Sequence, residues 1–164
     1  MDESAPQAAH GRPSLGLDQP AFLLAQVGAY GAARFGARLE ALGLSPAHAG
    51  ILRIIAGSEG INQRDLADRM AALPARMVGL IDGLEERGLV ERRRDAHDRR
   101  NHALHLTPAG FAMLRQIGRV ARDHQADLLR GLSDDERAQL ATLLGRIAAE
   151  HGLARGVHPG FRTL

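Results

Sequence analysis

The chain has 164 residues, with 45% hydrophobic but only 3% aromatic residues, no cysteine and a formal net charge of +2. That length suits one domain with an added oligomerisation element, and its core must come from Leu, Ile, Val, Met and Ala, which lean helical. The lack of cysteine excludes disulfides, thiolate metal sites and thiol redox sensing; the apolar stretch Pro20 to Ala33 is shorter than the ~20 residues of a membrane span; and no signal-peptide pattern opens the chain, so a cytoplasmic protein is expected.

Residues 1–17 mix Pro, Gly, Ser and Ala without periodicity and read as a disordered tail. Asp18 is a candidate cap for a first helix over 18–43, with Pro20 in its first turn and Gly43 ending it. Gly28, Gly31, Ala32, Ala33, Gly36 and Ala37 would let another helix approach that one closely. Ser45 and Pro46 open a second helix whose apolar stripe is Ile51, Leu52, Ile54 and Ile55, stopped at Gly57 or Gly60. Asn62 caps a short helix with Leu66 and Met70 one turn apart. Pro74 opens the next, with Met77, Leu80, Ile81 and Leu84 facing the core and Gly88 as its stop.

After Gly88 the period drops from helical to about two. "LVERRR" and "NHALHL" read as strands, Ala103 breaking the alternation, with "DAHDR" as the turn between them. Thr107-Pro108 then starts a long helix with a seam of Leu114, Ile117, Ala121, His124 and Leu128. Ser133 and Glu136 form a capping box for a last helix carrying Leu140, Leu143, Leu144 and Ile147. Residues 153–164 are expected to be a loose tail.

All 21 basic residues are arginine, and between Leu44 and Leu106 ten arginines face nine acids. Outside Arg92–Arg100 the same region has five arginines against seven acids, so its positive charge is gathered in one short stretch. Alone, such a run reads as a solvated loop. Here it falls on a hairpin that follows a helix-turn-helix, the order of a winged helix. In that arrangement the second helix of the pair lies in the DNA major groove and the wing reaches backbone or minor groove, where arginine is favoured. Arg92, Arg94 and Arg99 are therefore candidate DNA contacts. The fold class expected is mainly α with a small β-hairpin wing (α+β): a winged helix-turn-helix over 44–106, flanked by helices at 18–43 and 107–152.

The stretch from Asp65 to Gly110 resembles the multiple antibiotic resistance regulator (MarR) family. "LE-x-RGLV" stands at Leu84 to Val90, and the wing pattern is present as Asp98, Arg99, Arg100, Leu104, Leu106, Thr107 and Gly110. The close match covers roughly Ser45 to Gly110, and the flanking helices fit by position. The resemblance implies an obligate homodimer held by the terminal helices, a palindromic double-stranded operator, and repression relieved by a small ligand. It also implies that Arg100 enters the minor groove, that Asp98 positions it by a salt bridge, and that Pro74, Ala75, Arg76 and Gly79 face the major groove. Two departures stand out. Leu73 replaces the usual acidic or hydroxyl cap, and Ala75, Gly79 and Gly83 leave Arg76 as the one long donor on that face.

A ligand of the kind the family binds, a small anionic aromatic, would meet Tyr30, Arg34, His48, Leu52 and Met113. No phosphate loop, nucleophile elbow or paired-carboxylate pattern suggests an enzyme. The eight histidines give no metal set: His102 and His105 point to opposite strand faces. No cofactor and no membrane partner are expected. The alternatives are a DNA-architectural winged-helix protein without a ligand response and an interaction module without DNA affinity.

Overall fold

The computed structural model describes residues 19–94, 102–153 and 156–157. Its elements are α1 (Pro20–Glu40), α2 (Pro46–Gly57), α3 (Gln63–Met70), α4 (Pro74–Glu86), β1 (Val90–Arg94), β2 (His102–Leu106), α5 (Pro108–Leu128) and α6 (Asp134–Glu150). This is the helical chain with one small hairpin that the sequence pattern leads one to expect. The chain divides into two compact units, Met1–Ala33 and Arg34–Leu164. Within the first, the α1 residues Phe22, Leu23, Leu24, Val27 and Tyr30 are all exposed.

The second unit starts its helices where side chains supply the missing acceptors. Ser45 Oγ accepts from the His48 N–H at 3.4 Å, while His48 Nδ1 accepts from the Ser45 N–H at 3.1 Å. Asn62 Oδ1 accepts from the Asp65 N–H at 2.8 Å. Ser133 and Glu136 form the reciprocal box, the Ser133 N–H donating to Glu136 Oε2 at 2.7 Å. Leu73 makes no such bond at the start of α4. Gly43 and Gly88 end their helices at φ +68° and +65°, where a side chain would be strained.

β1 and β2 pair antiparallel, with Val90 opposite Leu106 and Arg94 opposite His102. The other edge of β2 is also occupied. The Gly60 N–H donates to the Leu104 carbonyl at 3.1 Å, and the Leu104 N–H to the Ile61 carbonyl at 2.9 Å. An isolated bridge joins Asn62 to Ala103. Ala103 is therefore buried beside Leu104, which breaks the alternation of β2.

The core lies under the winged helix. Leu39, Ile51, Leu52, Ile55, Leu66, Met70, Met77, Ile81, Leu84, Val90 and Leu104 are all but inaccessible, and Ile117 anchors α5 on them. Past Ile117 the seam expected on α5 stays uncovered, Ala121 being exposed and His124 and Leu128 half-buried. No residue of α6 is buried. The tail is not loose throughout: Val157 packs against the core, and Gly156 lies beside the Arg53 guanidinium.

At the junction of wing and α5, the Thr107 N–H donates to the Leu89 carbonyl at 3.2 Å, and Thr107 Oγ1 donates to the Gly88 carbonyl at 2.6 Å while accepting from the Gly110 N–H at 3.0 Å. A Cβ on Gly110 would stand 2.0 Å from the Leu89 carbonyl oxygen. Backbone cannot yield there as a side-chain tip can. Gly110→Ala should therefore destabilise by ~3 kcal/mol, a drop in Tm on the order of 10 °C. Gly118→Ala in the same helix meets only the Arg122 side chain and should leave Tm unchanged or raised. Equal melting of the two variants would show the junction to be slack.

Candidate nucleic-acid interface

α4 buries Met77, Ile81 and Leu84 at helical spacing. Around the rest of its first half, Pro74, Ala75, Arg76, Val78 and Gly79 are all exposed. The four residues expected on the reading face are thus together on one accessible surface, with Arg76 as its long donor.

Two arginines hold the C-terminal half of α4. Beyond its C-terminus, Arg87 donates to the Gly43 carbonyl at 2.5 Å and to the Leu42 carbonyl at 3.0 Å, tying it to the turn that follows α1. Midway, Arg92 of β1 reaches back across to the helix. It bonds Asp82 at 2.5 Å and also pairs with Glu85. Burial opposes the Arg92 charge, but its hydrogen bonds to the two acids and their charges outweigh that and push its pKa up.

Arg92, expected as a DNA contact, is placed by these bonds against α4. Its side chain is 22% exposed and its guanidinium is bonded to two carboxylates, so it braces wing against helix and offsets part of the acidic charge there. Arg93 bonds Glu91 at 3.0 Å through Nε. Arg94 is exposed at the end of β1. Asp98, Arg99 and Arg100 lie outside the described residues.

A cleft of about 640 Å³ opens between α3, the start of α4 and the wing, and Gln63, Arg64, Asp68, Pro74, Arg92 and His102 are among its lining residues. Gln63, Arg64 and His102 were not among the residues expected to meet DNA, and the cleft brings them together with Pro74 and Arg92.

The expected ligand residues are less coherent. Tyr30 belongs to the first unit and is exposed; Arg34, in the second, is exposed as well. Met113 is partly buried against the core. His48 is half-buried and engaged with Ser45, its pKa lowered by burial and then by the Arg87 charge. Leu52 has no accessible surface and belongs to the core. Among the described residues no group of three His, Cys, Asp or Glu could hold a metal, and no helix is long and apolar enough to cross a membrane.

The MarR family profile matches residues 42–101. A MarR-family transcriptional regulator from Rhodococcus sp. RHA1 is 31% identical, superposes with a TM-score of 0.68, and matches over 84% of this chain and 96% of its own. The chain belongs to the MarR family. It is also 36% identical over 105 residues to a putative transcriptional regulatory protein for the hcr operon of Thauera aromatica, a match over 64% of this chain that spans only 63% of that protein's length. CouR from Rhodococcus jostii RHA1, bound to p-coumaroyl-CoA, is 33% identical at TM-score 0.67, covering 82% of this chain and 96% of that one. The transcriptional repressor CouR bound to a 23-mer DNA duplex is 29% identical at TM-score 0.71, covering 84% and 99%.

The brace can be separated from a surface charge by stability. Arg92→Ala leaves Asp82 and Glu85 uncompensated and should cost ~1 kcal/mol, discounted for the partial exposure of both acids. Arg94→Ala, at an exposed strand end, should cost less than ~0.5 kcal/mol. Urea unfolding of both variants checks this, and an Arg92→Ala as stable as wild type would return Arg92 to the surface.

Proposed function

We infer that this chain is a homodimeric, sequence-specific double-stranded-DNA-binding transcription regulator, a repressor released by a small ligand. One observation carries the reading: α4 presents Pro74, Ala75, Arg76 and Gly79 outward from a buried apolar stripe, beside a hairpin that carries the arginine run. A MarR-family regulator would place that helix in the major groove and that hairpin over the adjoining backbone or minor groove. The DNA-bound CouR structure supports the same use of the same fold.

Homodimerisation is supported by apolar surface that the chain leaves uncovered on itself. On α6, Leu143, Leu144 and Ile147 are exposed, and on the start of α1 so are Phe22, Leu23, Leu24 and Val27. Exposed apolar residues in such number mark an interface. Two copies would present two reading helices to a palindromic operator, with half-sites about one turn, ~34 Å, apart. Full-length protein should have the mass of a dimer by light scattering at micromolar concentration. In gel-shift titrations Arg100→Ala should weaken DNA binding by ~1–3 kcal/mol and flatten the salt slope by ~0.9 per lost phosphate contact, whereas Arg76→Ala should relax preference among operator variants. A monomeric mass, or equal loss on specific and random DNA for both variants, would sink the reading.

A second reading, an architectural DNA-binding protein without a ligand response, draws on Ala75, Gly79 and Gly83 standing where polar readers would be expected on α4. Ligand release separates the two. The p-coumaroyl-CoA held by a similar protein is a phenol on a phosphate-bearing carrier, which fits the anionic aromatic class expected from the sequence. Aromatic acids and aromatic acyl thioesters titrated against the DNA complex should lower its affinity, and Arg34→Ala should blunt that response. If every compound leaves the complex intact, the architectural reading stands.

A further inference from the structure

Three residues of the reading segment go against local preference. Leu73 occupies the N-cap of α4, where a side-chain oxygen is favoured by ~1 kcal/mol, and it is 73% exposed, the most exposed large hydrophobic side chain among the described residues. Gly79 and Gly83 stand inside the helix, where each costs ~1 kcal/mol relative to alanine. A Cβ at either would meet nothing within 4 Å, and neither glycine has positive φ. Neither packing nor backbone geometry within the chain calls for these choices. Val78 adds a second exposed apolar side chain, 40% accessible, one turn before Asp82.

We propose that Leu73 and Val78 read the 5-methyl groups of thymine in each half-site, Gly79 and Gly83 allowing the helix backbone close to the base edges. The proposal rests on the DNA-binding reading above and names the base chemistry of that surface. In the major groove guanine presents two acceptors, adenine an acceptor and a donor, cytosine a donor, and thymine alone a methyl group beside its acceptor. The α4 surface has one long donor, Arg76. Of its acids, Asp82, which could accept from cytosine, is already bonded to Arg92 at 2.5 Å, Glu85 pairs with the same guanidinium, and Glu86 stands in the last turn, two turns beyond Val78. What remains to meet a base on the N-terminal half of α4 is apolar, and the one apolar feature of a base-pair edge is the thymine methyl.

The test uses full-length protein and a duplex selected from a random-sequence pool. Each thymine is replaced in turn by deoxyuridine, which removes the methyl and keeps the pairing. At one or more symmetric thymine pairs, affinity should fall about fourfold per methyl and ~15-fold for the pair, from ~0.8 kcal/mol per buried methyl-sized group. Leu73→Ser and Val78→Ala should bind the thymine and uridine duplexes alike at those positions. Leu73→Ser supplies the missing cap oxygen and should melt no lower than wild type, so its loss of discrimination cannot be misfolding. Uridine duplexes bound as tightly as thymine ones, or variants that keep full methyl sensitivity, would overturn the proposal while leaving the DNA-binding reading intact. Failure to select any duplex would overturn both, and would assign the apolar patch to another occupant.

Discussion

Everything on the reading side depends on one close approach, that of the Gly110 backbone to the carbonyl of Leu89. Four chain segments meet there: the end of α4, the start of β1, the end of β2 and the start of α5. Thr107 binds them, its hydroxyl linking the Gly88 carbonyl to the Gly110 N–H. A tight junction fixes the angle at which the hairpin leaves the helix, because packed backbone is bistable at best and does not deform smoothly. The occupied outer edge of β2 adds to this. Hydrogen bonds from Gly60 and to Ile61 turn a lone hairpin, marginal by itself, into part of the core.

Arg92 then joins the wing to the middle of α4. The arginine run that dominates the charge pattern has no single purpose. Arg92 is turned inward onto Asp82 and Glu85, Arg93 is held by Glu91, and Arg94 faces solvent. The inward pair has an electrostatic consequence. One guanidinium offsets one of the two carboxylate charges beside α4, which lessens the repulsion a polyanion would meet there without exposing a second charge.

Local chemistry made most of the fold legible. Ser45, Asn62, Thr107 and Ser133 cap the helices that their positions suggested, and Pro46, Pro74 and Pro108 open theirs. The exposed face of α4 followed from the spacing of Met77, Ile81 and Leu84. What escaped were contacts made far along the chain: Arg87 on the Leu42 and Gly43 carbonyls, the Gly60–Ile61 edge of β2, and Val157 on the core. Such bonds have no period and no neighbouring signal. The Arg92 bonds to Asp82 and Glu85 escaped for a related reason, since a guanidinium in a charge run looks the same whether it meets phosphate or a carboxylate of the preceding helix. The full burial of Leu52 was not legible either, because an apolar helix residue can equally well line a cavity or fill a core.

The buried core stops near Ile117. Beyond it, the α5 seam toward Leu128 and all of α6 contribute no fully buried side chain. The winged helix therefore keeps its internal shape through contacts of its own, whatever covers the far end of α5 and α6. For the function proposed above this division has a mechanical meaning. A ligand or partner acting on the outer helices would change where the reading head is carried more readily than how it is built, because the Gly110 junction and the Arg92 brace lie inside the head. The free energy available for that displacement is only the ligand's preference for one placement over the other. A rigid head on weakly committed helices lets a modest preference act on DNA affinity without first unfolding the surface that reads it.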